Sequence, residues 1–153
     1  MSLAFALLFL TTVLYAGYNF LVKVSASHVP AIASSTITAT ITLQVAALAT
    51  SLVFAVVVRV VSSGSIWLAP KAYFWAALAG TCIGAAEIAY FYVFSGLGTG
   101  YPIRASIAVP FIVSGTILLA TLAGWLIAGE PFGGIQLVGL VLIVAGVVLL
   151  FVH

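Results

Sequence analysis

The chain has 153 residues, of which 65% are hydrophobic, and only four basic and two acidic residues carry a formal charge. A water-soluble domain has about 25% charged residues, whereas this chain has 4%. Its composition therefore excludes a soluble domain, and its high hydrophobicity excludes intrinsic disorder. The net charge of +2 forms no basic patch with interleaved aromatic residues, so no nucleic-acid partner is indicated. These values predict an integral membrane protein with the lipid bilayer as its surroundings.

A helix that spans a membrane needs about 20 mostly apolar residues. The N-terminal "MSLAFALLFL" has no positively charged region before it, so we interpret it as a first span and not as a signal peptide. Polar and turn clusters such as "KVSASHVP", "SSGSIWLAPK", "SGLGTGYP" and "AGEPFGG" divide the chain into five apolar segments. The predicted fold is all-α, with one domain over residues 1–153 and helices at about 3–22, 31–58, 72–94, 103–127 and 135–152. Five spans place the two termini on opposite sides of the membrane.

One passage of the second segment, "STITATITL", alternates polar and apolar residues as a strand of an outer-membrane barrel would. We favour a helix, because the apolar segments are far longer than barrel strands. On a helix, Thr36 and Thr40 share one face, and Thr38 and Thr42 share another. Two interpretations stay open: these threonines pack helices together in lipid, or they line a polar cavity.

Lysine and arginine residues in short loops set the orientation of a membrane protein. In the five-span prediction, Lys23 and Arg104 lie on one side, and Arg59 and Lys71 on the other. The tally is even, and the N-terminal amine tips it slightly towards a cytoplasmic N-terminus. A fixed topology and insertion in both orientations are equally compatible with this pattern.

Glu87 lies a few residues past the centre of the third segment, within roughly 5 Å of the membrane midplane. A charge there costs about 2.5–3.5 kcal/mol on insertion scales, so acids inside spans usually have a function. Desolvation favours the neutral acid until a cation arrives, which is the chemistry of a proton-coupled site. Alternatively, Glu87 is structural: protonated and bonded to a threonine of helix 2, held in a static ion pair, or nearer to an interface.

The helical neighbours of Glu87 include Tyr90, which is placed to donate a hydrogen bond to the carboxylate. Gly80 and Gly84 form a GxxxG pattern, which predicts a close approach of another helix. Phe91 and Phe94 are placed to form an aromatic wall for a hydrophobic or cationic substrate.

Polar residues near other helix ends extend the predicted substrate or proton site. Tyr15 and Asn19 lie four residues apart on helix 1 and are predicted to add polar contacts to the same cavity. Lys23 and Arg104 either extend towards lipid headgroups, the commoner arrangement, or face the cavity. In the second case Arg104 would select anionic groups or pair with Glu87.

The remaining polar residues indicate no metal, cofactor or enzyme activity. Glu130 precedes Pro131 at the predicted start of helix 5, where an acid complements the helix dipole, so we interpret it as structural. Cys82 is the single cysteine, and His28 and His153 have no metal partner in the sequence. The chain contains no aspartate and no HExxH, GxSxG or P-loop pattern, so an enzyme is disfavoured, and aspartyl membrane protease and ATPase chemistry are excluded.

The order of several motifs resembles a five-helix unit of the EamA-type drug/metabolite transporter superfamily. These are "YNFLVK" at the end of helix 1, the glycine-rich turn after helix 3, Pro110 in helix 4, "GE" at its end, and a "Q..G......G" pattern at the entry into helix 5. In that superfamily, ten-helix members carry two inverted units in one chain, and four-helix small multidrug resistance proteins form antiparallel dimers. In the small multidrug resistance proteins the essential carboxylate lies on helix 1, where this chain has Tyr15, so that site does not carry over.

The resemblance implies that the chain obtains its second unit from another chain, either a second copy or a paralogous five-helix partner. Gly139 and Gly146 lie seven residues apart on helix 5, as in the dimerising helix of the small multidrug resistance proteins. They would let two backbones approach closely, or would pack helix 5 onto its own chain. Secondary transporters commonly move two inverted units around a site near the midplane.

The expected function is secondary active transport across the cell (inner) membrane, by a multi-pass protein that is not an enzyme. The expected substrate is a small metabolite or an amphipathic cation, in proton-coupled efflux or exchange through Glu87. Two alternatives stay open: a non-transporting accessory subunit of a larger membrane complex, and one half of a flippase for a lipid-linked substrate.

Overall fold

The computed structural model describes residues 2–62 and 67–151, and its regular structure over these ranges is entirely helical. The helices are α1 (Ser2–His28), α2 (Ala33–Val61), α3 (Pro70–Ser95), α4 (Ala105–Leu126) and α5 (Gly134–Leu150). The prediction of an all-α chain with five helices is therefore confirmed. "STITATITL" lies within α2, so its alternating pattern does not form a strand.

Helix α1 is longer than predicted. The prediction of a polar turn from Lys23 is wrong, because the helix continues to His28. Ser27 Oγ donates a hydrogen bond to the Val24 carbonyl at 2.7 Å, and His28 Nδ1 lies 2.8 Å from the same oxygen. Polar residues mark where a helix leaves an apolar surrounding, whereas helical hydrogen bonding ends near the first residue that cannot continue it, here Pro30.

Helix α3 begins with Pro70, whose fixed φ and missing N–H suit the first helical position. It ends at Ser95, and the C-cap residue Gly96 has a left-handed φ of 79° and donates its N–H to the Tyr92 carbonyl. A Cβ atom at Gly96 would lie 2.7 Å from backbone atoms of Tyr101 and Pro102. Glycine is therefore required here for its backbone conformation and for the close return of the chain.

Helix α4 begins and ends within two residues of its predicted limits, and α5 begins one residue before its predicted start. The N-terminus of α5 is closed by Gln136, whose Oε1 accepts a hydrogen bond from the Gly133 N–H at 2.6 Å. The predicted end of helix 5 at Val152, the terminal His153, and residues 63–66 of the predicted loop before α3 lie outside the described residues.

Contacts between Cα atoms divide the chain into two units. Unit 1 is Met1–Pro102 and contains α1, α2 and α3, each of which contacts the other two. Its small core includes Val22, Ala26, Phe91 and Phe94, each at most 3% exposed. Unit 2 is Ile103–His153, in which α4 contacts α5.

Four helices of the described chain, α1 to α4, are long and apolar enough to cross a membrane, and α5 is apolar but has only 17 residues. Large apolar side chains on every helix are exposed, among them Phe5 at 63%, Phe54 at 67% and Leu119 at 69%. A protein in water does not leave apolar surface of this extent uncovered. The helices therefore indicate a membrane protein.

Candidate functional site

Glu87 is buried in unit 1, with only 6% of its surface exposed. Its helix runs from Pro70 to Ser95, so Glu87 lies ~7 Å along the axis beyond the helix midpoint at 1.5 Å per residue. Phe91, one turn further along the same face, is 1% exposed. The carboxyl group is therefore inside the three-helix unit, and not at an interface with water.

Two tyrosines lie close enough to the Glu87 carboxyl to interact with its charge: Tyr18 of α1 and Tyr90, three residues further along α3. Neither the Tyr18 hydroxyl nor Glu87 Oε2 reaches hydrogen-bonding geometry with any described atom, although both are inaccessible to solvent. Buried polar atoms in folded proteins almost always have a hydrogen-bond partner. Two neighbouring polar atoms without one are therefore an unusual feature, and they mark this position as a candidate binding site.

The sequence analysis predicted that Tyr90 donates a hydrogen bond to Glu87, and the structure shows that it does not. Its hydroxyl donates instead to Asn19 Oδ1 of α1 at 2.8 Å. A tyrosine has a single hydroxyl proton, so this bond uses the proton that was expected to reach the carboxylate. Asn19 and Tyr90 are thus bonded to each other, which the sequence analysis did not predict, and Tyr18 is the other tyrosine next to Glu87.

Aromatic rings surround this polar group. Tyr18 and Tyr90 are stacked, with centroids 6.4 Å apart and an interplanar angle of 21°. Tyr15 contacts Tyr18 edge-on at 6.3 Å, and Phe94 contacts Tyr90 edge-on at 5.0 Å. Phe91 and Phe94 are each 1% exposed, so both pack in the core of unit 1, and their predicted role as an aromatic wall for a substrate stays a prediction. Tyr15 is 62% exposed and lies at the outer edge of the cluster.

The threonines of α2 do not bond to Glu87. Thr36 and Thr40 are buried, and their hydroxyls donate to the carbonyls of Ile32 and Thr36, within their own helix, at 3.1 and 3.0 Å. This arrangement favours the interpretation of these two residues as helix-packing residues. Thr38 and Thr42 also bond within α2 but are exposed.

The two glycines of the GxxxG pattern have different surroundings. A Cβ atom on Gly84 would lie 3.2 Å from Gln44 Nε2 of α2, whereas one on Gly80 would meet nothing within 4 Å. The predicted close helix approach is therefore present at Gly84 and absent, among the described residues, at Gly80.

Lys23 lies at the C-terminal end of α3. Its Nζ is 3.4 Å from the Phe94 carbonyl and 5.4 Å from the centroid of the Phe94 ring. A cation at a helix C-terminus interacts favourably with the helix dipole and with the last carbonyl groups. The side chain therefore joins α1 to the end of α3.

Two residues that the sequence analysis singled out belong to unit 2. Arg104 is exposed and occupies the N-cap position of α4, which begins at Ala105 and not at residue 103. Its predicted part in the site stays a prediction. Glu130 was expected in the first turn of α5, but it lies outside the helix, because α5 begins at Gly134. Its carboxylate instead lies over Gly124 near the end of α4, 2.7 Å from where a Cβ atom would be.

A groove of about 530 Å³ lies between α1 and α2, and we call it the α1–α2 groove. Tyr18 and Phe91 line it, and its other lining residues are Leu14, Leu21, Val22, Ser25, Ala39, Thr42, Leu43 and Ala46. Its volume lies within the range of about 300–1,000 Å³ that small-molecule sites occupy. Because Tyr18 lines this groove and also interacts with the Glu87 carboxyl, the groove and the carboxyl share a wall.

Tyr18 is the member of the site that sequence reasoning missed. The available signal was its position three residues after Tyr15 and directly before Asn19, in an otherwise apolar helix. Helical spacing places Tyr15, Tyr18 and Asn19 on neighbouring parts of one face, but not which of them reaches the carboxyl.

Comparisons with known proteins give no relative. No family model matches the chain, and neither the search of curated proteins nor the search of solved structures finds a match. The proposed function therefore rests on the residues and geometry of unit 1.

Proposed function

We propose that the chain is a multi-pass cell-membrane transporter subunit that moves a small metabolite or an amphipathic cation in exchange for protons. The observation that carries this proposal is Glu87, a buried carboxyl with an unpartnered oxygen in a helix of membrane-spanning length. An acid inside a membrane span is costly unless it binds a proton or a cation in turn. The neighbouring aromatic rings and the α1–α2 groove offer surfaces for the apolar part of a substrate.

The proposal includes the superfamily resemblance: one EamA-like five-helix unit that functions as an inverted dimer. The open surroundings of Gly139 and Gly146 support the dimer, because no described atom lies within 4 Å of a Cβ atom built at either position. Such a surface lets a helix from a second copy, or from a paralogous chain, approach closely.

Transport into proteoliposomes across an imposed pH gradient tests the function. Suitable probes are a radiolabelled alkylguanidinium ion, as an amphipathic cation that keeps its N–H bonds, and a set of radiolabelled amino acids, as small metabolites. We expect uptake that depends on the gradient in the unmodified protein and is lost in Glu87→Gln. Glu130→Gln is the matched control, since it changes the only other acid in the chain, and it is expected to transport normally.

Gradient-driven uptake that is unchanged in Glu87→Gln would overturn the role of this carboxyl. Purification only in a stable complex with an unrelated enzyme would instead favour an accessory subunit.

Chemical crosslinking in native membranes tests the dimer. Replacement of Gly139 or Gly146 by leucine is expected to lower the crosslinked fraction several-fold, because a bulky side chain would separate the two backbones. Gly17→Leu is the control, because Gly17 is equally open but lies on α1. Tags on both termini, probed from each side of the membrane, then distinguish one fixed orientation from two.

A further inference from the structure

We propose that Tyr18, Glu87 and the α1–α2 groove form one binding site for a single-chain alkyl ammonium ion that keeps its N–H bonds. This class includes protonated primary and secondary amines and excludes quaternary ammonium ions. The inference rests on the proposed function, which it narrows from cations and metabolites in general to one type of headgroup.

We infer the ammonium headgroup of the ligand from two buried polar atoms without hydrogen-bond partners. Glu87 is 6% exposed, and its Oε2 accepts no hydrogen bond from the described residues. Tyr18 Oη beside it is equally unpartnered. A charged N–H group satisfies both, since a carboxylate and a phenol oxygen each accept a hydrogen bond. A trimethylammonium group carries the same charge but has no proton to donate, so it offers neither oxygen a hydrogen bond.

The rest of the polar cluster does not compete for this ligand. Tyr90 donates its proton to Asn19, so neither group needs the incoming ammonium. On α2, the buried Thr36 and Thr40 hydroxyls are bonded to their own helix. Glu87 and Tyr18 are therefore the two groups in this cluster that gain most from an N–H donor.

We infer the apolar alkyl chain of the ligand from the lining of the α1–α2 groove. Tyr18 and Phe91 form part of its wall, and leucine and alanine side chains of α1 and α2 form most of the remainder. An ammonium held between Tyr18 and Glu87 thus has an apolar surface directly beside it, and burial of its chain adds to the affinity.

A lipid with an ethanolamine headgroup shares the N–H chemistry. We assign the site to a single-chain amine because a phospholipid would bring its phosphate close to the Glu87 carboxylate, and like charges at short range repel.

Binding to the purified full chain in neutral detergent, measured by isothermal titration calorimetry near neutral pH, tests the proposal. The probes are n-decylamine and decyltrimethylammonium, which share chain length and charge and differ in N–H bonds. We expect n-decylamine to bind at least about tenfold more tightly, as the loss of charge-assisted hydrogen bonds requires. Empty micelles give the background for partition into detergent.

Variants test whether the preference for n-decylamine over the quaternary ion comes from Glu87 and Tyr18. Glu87→Gln is expected to weaken n-decylamine binding by about tenfold or more, and Tyr18→Phe to reduce the preference over the quaternary ion. The matched controls are Glu130→Gln and Tyr101→Phe, which change an exposed acid and an exposed tyrosine outside the cluster. The comparison of the two probes on the unmodified chain needs no variant, so it stands even where a variant fails to fold.

Equal binding of the two probes, or a preference that persists in Glu87→Gln, would overturn the proposal. Displacement of n-decylamine by short-chain phosphatidylethanolamine, but not by phosphatidylcholine, would overturn the assignment to a single-chain amine and would favour a phospholipid. None of these results decides the pH-gradient transport assay. Conversely, a selective site in a protein that fails that assay would refute the transport function and leave the site standing.

Discussion

Unit 1 and unit 2 each contain one of the two acidic residues, and the surroundings of the two carboxylates differ. Glu87 is buried among three helices, beside a tyrosine from a different helix. Glu130 is exposed and lies against Gly124, six residues earlier in the chain. The polar contacts of unit 1 join residues far apart in sequence, such as Tyr90 with Asn19 and Lys23 with Phe94. In the described part of unit 2, by contrast, Thr116 bonds to Ile112 and Gln136 to Gly133, each within four residues.

This contrast shows where a ligand site can form in a highly apolar chain. Local polar contacts close helix ends, as Gln136 does for α5, and leave no buried group unsatisfied. A polar group held between different helices has its position fixed by packing, so it can be kept without a partner until a ligand arrives. Four sets of substitutions follow, in order of decreasing expected effect on stability. Three of them compare unit 1 with unit 2, and one compares two lysines of unit 1.

The largest effect is expected for Phe91→Ala in unit 1. Phe91 is 1% exposed, whereas Phe111 of unit 2 is 59% exposed. We expect Phe91→Ala to lower the free energy of unfolding by about 2–4 kcal/mol through the cavity it leaves, and Phe111→Ala to cost less than about 1 kcal/mol. Denaturation in mixed detergent micelles, followed by circular dichroism, measures both. An equal loss of unfolding free energy in the two variants would show that the buried core of unit 1 does not stabilise the protein more than the exposed surface of unit 2.

A second pair compares glycines with positive φ. Gly96 (φ 79°) faces backbone atoms of Tyr101 and Pro102 at 2.7 Å, whereas Gly129 of unit 2 (φ 67°) has nothing within 4 Å. We expect Gly129→Ala to cost about 1–2 kcal/mol from the left-handed backbone alone, and Gly96→Ala about 2–3 kcal/mol because the clash is added. Thermal unfolding midpoints of the two variants check the order, and a reversed order would contradict the close return of the chain at Gly96.

A smaller effect is expected for Lys23→Met. This change removes the contact with the Phe94 carbonyl and ring but keeps an apolar stem of similar length. We expect a loss of about 1 kcal/mol, from the helix-dipole and cation–π interactions together. Lys71→Met is the control, since Lys71 is exposed in the first turn of α3, where a cation gains nothing from the dipole. A stability loss of the same size in the control would show that Lys23 has no special role.

The smallest effect is expected where glycine faces the end of a flexible side chain. Gly84 of unit 1 faces Gln44 Nε2, and Gly124 of unit 2 faces Glu130 Oε2. Alanine raises helix propensity at both positions, and displacement of the polar group offsets this gain, so we expect net changes within about 0.5 kcal/mol. Gly80→Ala, which meets nothing within 4 Å, should be stabilising by about 0.5–1 kcal/mol. A Gly84→Ala variant as stable as Gly80→Ala would argue against close packing of α2 on α3.

Much of the secondary structure could be predicted because it depends on local composition. Apolar runs bounded by proline and glycine located all five helices, and Pro70 and Gly96 lie at the two ends of α3. The end of α1 was missed by six residues, since polarity was read as a turn although Ser27 and His28 still bond to Val24 within the helix. The start of α5 was close, but the acid expected in its first turn lies outside it.

The candidate site could be predicted only in part. Composition alone singled out Glu87, because a buried acid in an apolar helix is rare whatever surrounds it. Tyr90 and Asn19 were both named, but their mutual bond was not, and Tyr18 was missed. Helical periodicity gives the face on which a residue lies, whereas the choice among Tyr15, Tyr18 and Asn19 as the neighbour of Glu87 depends on the rotation and offset of α1 against α3.

The sequence by itself determined a membrane-type composition, five helices and a single acid in the interior of the third helix, because each depends on the transfer energies of nearby residues. Only the tertiary structure decided that Tyr18 interacts with Glu87, that Tyr90 bonds to Asn19 and that Lys23 lies at the end of α3. Each of these pairs joins residues about 70 positions apart. Apolar side chains in lipid gain little from one contact over another, so helix register follows from close packing and the few polar bonds between helices.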